Sequence, residues 1–271
     1  MMRRARPLLG TIVEITVYAA TEACALRAST AGFGAIADVH RLMSFHEPDS
    51  DLSRINRHAH TRAVEIDPRT FAVLRRAHFH SIASQGIFDC TVGGALLAHG
   101  ALPRSSALHP DTHATFRDVA LLPGNRVRLR RPLAIDLGGI AKGFAVDEAI
   151  AAIVRSGAQA ACVNAGGDLR VFGDHEWPIA LRTRAGFASL PALRNRALAT
   201  SADTFADDGA IVDPATGTLC RSPQSVSILA PTCIDADALT KVVWLASRLP
   251  PGLLERVDAS AIILGAAADA A

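Results

Sequence analysis

Apolar positions change their spacing repeatedly along this chain, and each spacing predicts an element. Val13, Ile15 and Val17 alternate with Glu14 and Thr16, the period of a strand with one buried face. From Thr21, an N-cap residue, to about Met43, alanines surround Phe33, Ile36, His40 and Met43 at helical intervals, so a long helix follows. Ser50 is placed to cap a short helix carrying Leu52 and Ile55, and Asp67-Pro68 to open another through Phe71, Leu74, His78 and Ile82 to Gly86. Val119 to Leu122, a Pro123-Gly124-Asn125 turn, and alternating Val127 and Leu129 read as a hairpin. Leu133-Ala134-Ile135 reads as a short buried strand ending at Asp136. A helix begins near Ile140 with Val146, Ala149, Ile150, Ile153 and Val154 inward, Asp147 and Glu148 outward, and Gly157 as its stop. Strands at 161–163, 169–172, 198–201 and 226–230 and a helix within 233–249 complete the pattern, while 99–116 reads as a surface connection and 202–210 as a polar, mobile one.

Composition narrows this picture to an ordinary globular protein. The chain has 271 residues, of which 49% are hydrophobic and 20% charged, and no repeat or low-complexity linker divides it, so one domain over 1–271 is expected. A net charge of +2 and an aromatic content of 5% give no support to nucleic-acid binding. Cys24, Cys90, Cys162, Cys220 and Cys233 are scattered and odd in number, which argues for reduced thiols and a cytoplasmic location. The basic residues 1–6 lead into Pro7-Leu8-Leu9-Gly10-Thr11 rather than an apolar core with a cleavage site, and no later run is long enough to span a bilayer. Stable membrane insertion is not expected.

Chemistry is densest where strand and helix patterns meet. Gly138 and Gly139 remove side chains at the turn between Asp136 and the following helix, which either makes a tight connection or lets a ligand approach the backbone closely. Their spacing matches neither G-x-G-x-x-G nor the P-loop. The polar segment 43–56 is either a capped turn or a ligand-binding loop around Phe45, and Asp89 either caps its own segment or grips a polar ligand edge. His58 and His60 read as surface residues. Asp237 and Thr240, at i,i+3, share a helix face as a capping arrangement or as hard oxygen ligands, and Asp237 with Lys241 is equally readable as a surface ion pair.

Eight segments, taken in order, resemble the ApbE family of FAD:protein FMN transferases over nearly the whole chain. They are Leu9-Gly10-Thr11, Met43-Ser44-Phe45 with Ser50 to Asn56, Phe88-Asp89-Cys90-Thr91-Val92-Gly93, 136–147, Asn164-Ala165-Gly166-Gly167-Asp168, Ala199-Thr200-Ser201, Asp213-Pro214-Ala215-Thr216-Gly217, and Ala236-Asp237-Ala238-Leu239-Thr240. The resemblance implies an α+β fold with mainly antiparallel strands, packed helices and two sublobes around a cleft that binds FAD. It implies Mg2+ on the FAD diphosphate, attack by a Thr or Ser hydroxyl of an acceptor flavoprotein on the FMN phosphorus, and departure of AMP. Carried over by position, Leu9, Phe45, Ile87, Phe88, Asp89, Asp136 and Lys142 line the FAD site, and Gly139, Asp237 and Thr240 hold the metal. A FAD pyrophosphatase and a non-catalytic FAD-binding protein are the alternatives.

Three departures from the family pattern stand out. Ala210 occupies the place of a histidine suited to take the proton of the attacking hydroxyl, with His175 and Asp208 as nearby substitutes in the chain and the catalytic base unassigned. The usual Ser-Gly pair is Ser201-Ala202. The threonine after Ala-Asp-Ala-Leu falls one place early, which leaves Lys241 where a ligand is expected.

Overall fold

The computed structural model describes residues 1–103, 110–183, 186–202, 211–221 and 224–265. Its elements run β1 (Met2–Leu8), β2 (Thr11–Tyr18), α1 (Glu22–Met43), α2 (Asp51–His58), β3 (Val64–Glu65), α3 (Pro68–Ala83), α4 (Gly93–Ala98), β4 (Val119–Leu122), β5 (Arg126–Leu129), α5 (Ala141–Arg155) and β6 (Ala160–Ala165). They continue with β7 (Asp168–Phe172), β8 (Trp177–Thr183), β9 (Gly186–Leu193), β10 (Ala197–Ala202), β11 (Ile211–Val212), β12 (Leu219–Cys220), β13 (Ser225–Ala230), α6 (Cys233–Leu245) and β14 (Ser260–Leu264). The fold is α+β with antiparallel strands. A seven-stranded sheet in the order β1-β2-β6-β7-β10-β13-β14 carries it, and every neighbouring pair in that sheet is antiparallel.

Alternation along the strands sorts the two faces. Val13, Ile15, Val17, Ala161, Val163, Ala165, Ala197 and Ala199 join the main core with α1, α5 and α6. Their neighbours Ala160, Leu169, Val171 and Leu198 point the other way and meet Trp177, Leu181 and Leu193 of the β8–β9 hairpin. The sheet is therefore covered on both sides, and its turns at one end are free to build a site.

Capping residues act where the sequence places them. The Thr21 side chain accepts from the Cys24 amide, Ser50 from Ser53 and Asp67 from Arg69, each closing a helix start. The expected 133–135 strand is instead an extended buried segment without a ladder partner. Asn56 replaces the missing strand: its amide donates to the Ile135 carbonyl at 2.9 Å and accepts from the Ile135 amide at 2.8 Å. On α5, Val154 is 47% exposed, contrary to its expected inward position. Helix α6 stops at Leu245, short of 249, ahead of Pro250 and Pro251. The cysteines are free thiols. Among the described residues no helix is long and apolar enough to cross a membrane.

Helices α5 and α6 cross at Gly143. A Cβ built there lies 2.2 Å from the Cys233 carbonyl oxygen and 2.8 Å from the Asp237 Cβ, so only glycine permits this approach. Alanine ordinarily stabilises a helix by up to about 1 kcal/mol over glycine. Gly143→Ala is expected to reverse that sign and destabilise the protein by about 1–3 kcal/mol through overpacking, measured by urea denaturation. A stabilised variant contradicts the close crossing.

Candidate functional site at one end of the sheet

The turns at one end of the large sheet converge. Leu9 and Gly10 form the two-residue β1–β2 turn, with φ of 56° and 71°, a conformation that a leucine adopts only when its surroundings impose it. The β6–β7 turn packs on it, since a Cβ at Gly166 would lie 2.6 Å from Thr11 Oγ1. Asn164 Oδ1 accepts the Gly167 amide at 2.9 Å and shapes that second turn. Asp168, at the start of β7, and Ser201, near the end of β10, lie at this same end.

Two helices aim their ends at these turns, and each is capped by the other. The first turn of α5 has no cap from Ile140. Its Gly143 amide donates to Asp237 Oδ2 of α6 at 3.0 Å. In return, Asp147 of α5 accepts the Cys233 and Ile234 amides that open α6, both at 2.9 Å, and Arg170 Nη1 meets Asp147 Oδ1 at 2.7 Å. The sequence places Asp147 on the outer face of α5; the structure corrects this, because its carboxylate is the cap that α6 lacks. A further tie holds α6 to α3. Asp235 accepts from Arg76 Nε and Nη2 at 2.5 and 2.7 Å, from Thr232 at 2.5 Å, and meets His80 Nε2 at 2.8 Å.

The charged groups sit above this crossing. Lys142 Nζ lies 3.0 Å from Oδ2 of the buried Asp168. Burial pushes the Asp168 carboxyl upward, the negative charge of Asp237 adds to the shift, and Lys142 opposes it; Asp168 in turn raises the Lys142 ammonium. Asp237 is fully buried, and Lys241 Nζ reaches its Oδ1 and, at 3.2 Å, its backbone carbonyl. The Asp237–Lys241 pair is thus an internal one and not a surface pair. Asp136 is pushed up by burial, against the opposing Gly138 amide and the positive charges of His46 and Lys241. Phe88 and Lys241 flank Gly139: a Cβ there would lie 3.6 Å from Phe88 Cε2 and 3.5 Å from Lys241 Cε.

An ApbE family model matches residues 9–269. The chain belongs to the ApbE family. It is 30% identical to a FAD:protein FMN transferase of Treponema pallidum over 89% of this chain and 78% of that protein. A Rhodobacter capsulatus protein of the same description is 30% identical over 89% of this chain and half of its own length. Among solved structures, the ApbE protein of Thermotoga maritima matches with a TM-score of 0.77 at 28% identity, covering 90% of this chain and 86% of that one. The flavin transferase ApbE of Vibrio cholerae superposes with a TM-score of 0.80 at 24% identity, over 97% and 92%.

In this ApbE chain the sequence-expected residues divide into those that meet and those that stand apart. Phe88, Asp136, Gly139, Lys142 and Asp237 gather around Lys241 and Asp168. Thr240 is adjacent but buried, with its hydroxyl on the Asp237 carbonyl at 2.7 Å and on the Ser201 hydroxyl at 2.8 Å. Asp89 is spent on the protein itself, holding the Thr91 amide and hydroxyl on one oxygen and the Phe116 amide on the other, all at 2.8 Å. Leu9 lines an open groove with Ile12 and His40, while Phe45 and Ile87 are half-buried against the main core. Of the substitutes for the base, His175 packs against Tyr18 and edge-on to Trp177 at the opposite end of β2, a strand of eight residues, so it stands roughly 20 Å from the Leu9 turn. Asp208 and Ala210 lie outside the described residues.

Magnesium requires oxygens with free lone pairs aimed at one point. Here Asp237 gives Oδ2 to Gly143 and Oδ1 to Lys241, Thr240 turns its hydroxyl to Asp237 and Ser201, and the Lys241 side chain lies against Gly139. The residues present do not fit that ion. Among the described residues, no group of three or more His, Cys, Asp or Glu side chains is placed to hold a metal.

The Asp235 tie makes a pH prediction. Burial opposes its charge, yet the bonds from His80, Arg76 and Thr232 hold its carboxyl well below the usual 3.8. A depressed carboxylate contributes its full stability above about pH 4 and loses it as pH falls further. The stability difference between wild type and Asp235→Asn is therefore expected to shrink steadily from about pH 4 to pH 2, measured by denaturant titration. A difference that grows on acidification contradicts the assignment.

Proposed function

We propose that this protein transfers the FMN moiety of FAD to a Thr or Ser hydroxyl of an acceptor flavoprotein and releases AMP. The observation that carries the reading is the meeting of Lys142, Lys241 and the Gly138-Gly139 turn at one end of the sheet, in a chain 30% identical to a FAD:protein FMN transferase over 89% of its length. Phosphoryl transfer asks the protein chiefly for positioning and for positive charge on the diphosphate oxygens, and that is what these residues offer. Phe88, Ile87, Phe45 and Leu9 supply apolar surface for the ring systems, and Asp136 supplies a polar edge.

In this reaction the acceptor oxygen forms a new bond to the FMN phosphorus. The bond from that phosphorus to the bridging oxygen breaks, and AMP leaves with the bridging oxygen and its electron pair. The hydroxyl proton passes to solvent or to a base brought by the acceptor, since His175 stands far off. Lys142 and Lys241 hold the diphosphate, and Phe88 beside Gly139 helps to keep water from it. Magnesium, expected at Gly139, Asp237 and Thr240, takes no part in these steps, because both Asp237 carboxylate oxygens and the Thr240 hydroxyl are already engaged. Free thiols at all five cysteines support a cytoplasmic site of action.

Incubation of the protein with FAD and a flavoprotein acceptor bearing a Thr or Ser in an exposed tag tests the proposal. Equimolar AMP and acceptor-linked flavin, both absent without acceptor, are expected by chromatography and in-gel fluorescence. AMP with free FMN in the absence of acceptor identifies a pyrophosphatase, and bound FAD without AMP identifies a flavin carrier.

A further inference from the structure

Lys241 sits where a bound cation would be held. Its ammonium bonds the Asp237 carboxylate and the Asp237 carbonyl, and its methylenes run beside Gly139. An ammonium has three donors, and these contacts use two. The side chain keeps 20% of its surface exposed, which leaves the third donor, without a protein partner among the described residues, in reach of solvent. Two neighbouring groups are committed: Asp237 Oδ2 to the Gly143 amide, and Thr240 to Asp237 and Ser201.

Charge points the same way. When ionised, Asp136, Asp168 and Asp237 face the two ammonium groups of Lys142 and Lys241, leaving one net negative charge. A neutral residue at 241 would leave two, the charge a divalent ion matches. A metal arriving at Asp237 Oδ1 must also displace Lys241 from a buried carboxylate and leave its ammonium beside a second positive centre.

We infer that the Lys241 ammonium is the resident cation of this site and meets the diphosphate of the bound dinucleotide in place of a divalent metal. This rests on the FAD reading above and adds a residue and a cofactor requirement to it. Lysine is suited to the role as a compact point charge on a flexible stem, able to keep Asp237 while one N–H takes a phosphate oxygen. Bond order is unaffected, because the ammonium donates hydrogen bonds and neither gains nor loses its proton.

The test measures FAD affinity by flavin fluorescence and, with the tagged flavoprotein acceptor present, AMP release by chromatography, each in excess EDTA and in millimolar Mg2+. Wild type is expected to show both within about twofold across the two conditions. Lys241→Met is expected to weaken FAD binding about tenfold or more in EDTA, and Lys241→Arg to retain it, in line with the worth of a charged hydrogen bond. Lys241→Thr, which restores a hydroxyl and frees Asp237 Oδ1, is expected to bind FAD well only with Mg2+. Wild type that binds FAD but releases AMP only with Mg2+ overturns the inference while leaving the proposed function standing, as does Lys241→Met matching wild type in EDTA. Wild type that binds no FAD in either condition overturns both.

Discussion

Each of two crossing helices caps the other, and the rest of the site depends on that exchange. The starts of α5 and α6 lack side-chain caps of their own, so each would leave amides unpaired in a buried place. Asp237 answers for Gly143, and Asp147 answers for Cys233 and Ile234. The missing Cβ of Gly143 lets the backbones come close enough for both exchanges. Burial raises the Asp147 carboxyl while Arg170 and the two amides oppose that shift, so its charge is held by the same contacts that hold the helices.

That crossing fixes where the positive groups stand. Lys142 is one residue before Gly143 and Lys241 one turn after Asp237, so locking the helices together places both ammonium groups near the crossing. Asp168, anchored at the start of β7, holds the first, and Asp237 holds the second. A capping carboxylate therefore doubles as the counter-ion of Lys241. This double duty is why the arrangement suits an ammonium: both Asp237 carboxylate oxygens are already in structural use.

Much of the scaffold was readable in the sequence because its signals are local. Thr21, Ser50 and Asp67 cap the helices they precede, and the alternation of Val13, Ile15 and Val17 survives as the inner face of β2. The order of eight segments along the chain carries the family resemblance without any long-range contact. What stayed hidden depended on partners distant in sequence. Ile135 looked like a strand residue, but Asn56, 79 positions away, satisfies its backbone. Asp147 looked outward by helical period alone, since nothing local signals the amides of Cys233 and Ile234. Lys241 was visible as a departure from pattern, yet its place beside Gly139 required the fold. Asp168 and Ser201 were seen only within turn and strand segments, and their meetings with Lys142 and Thr240 come from the sheet register.

Amide hydrogen exchange on Asp147→Asn tests the mutual capping most directly. The substitution removes the charge and one of two oxygen acceptors at the start of α6, far along the chain from Asp237. If the two helices are held as one unit, exchange accelerates at Cys233, at Ile234 and also at Gly143, whose acceptor sits on α6. Acceleration confined to Cys233 and Ile234, with Gly143 as protected as in wild type, would contradict the account.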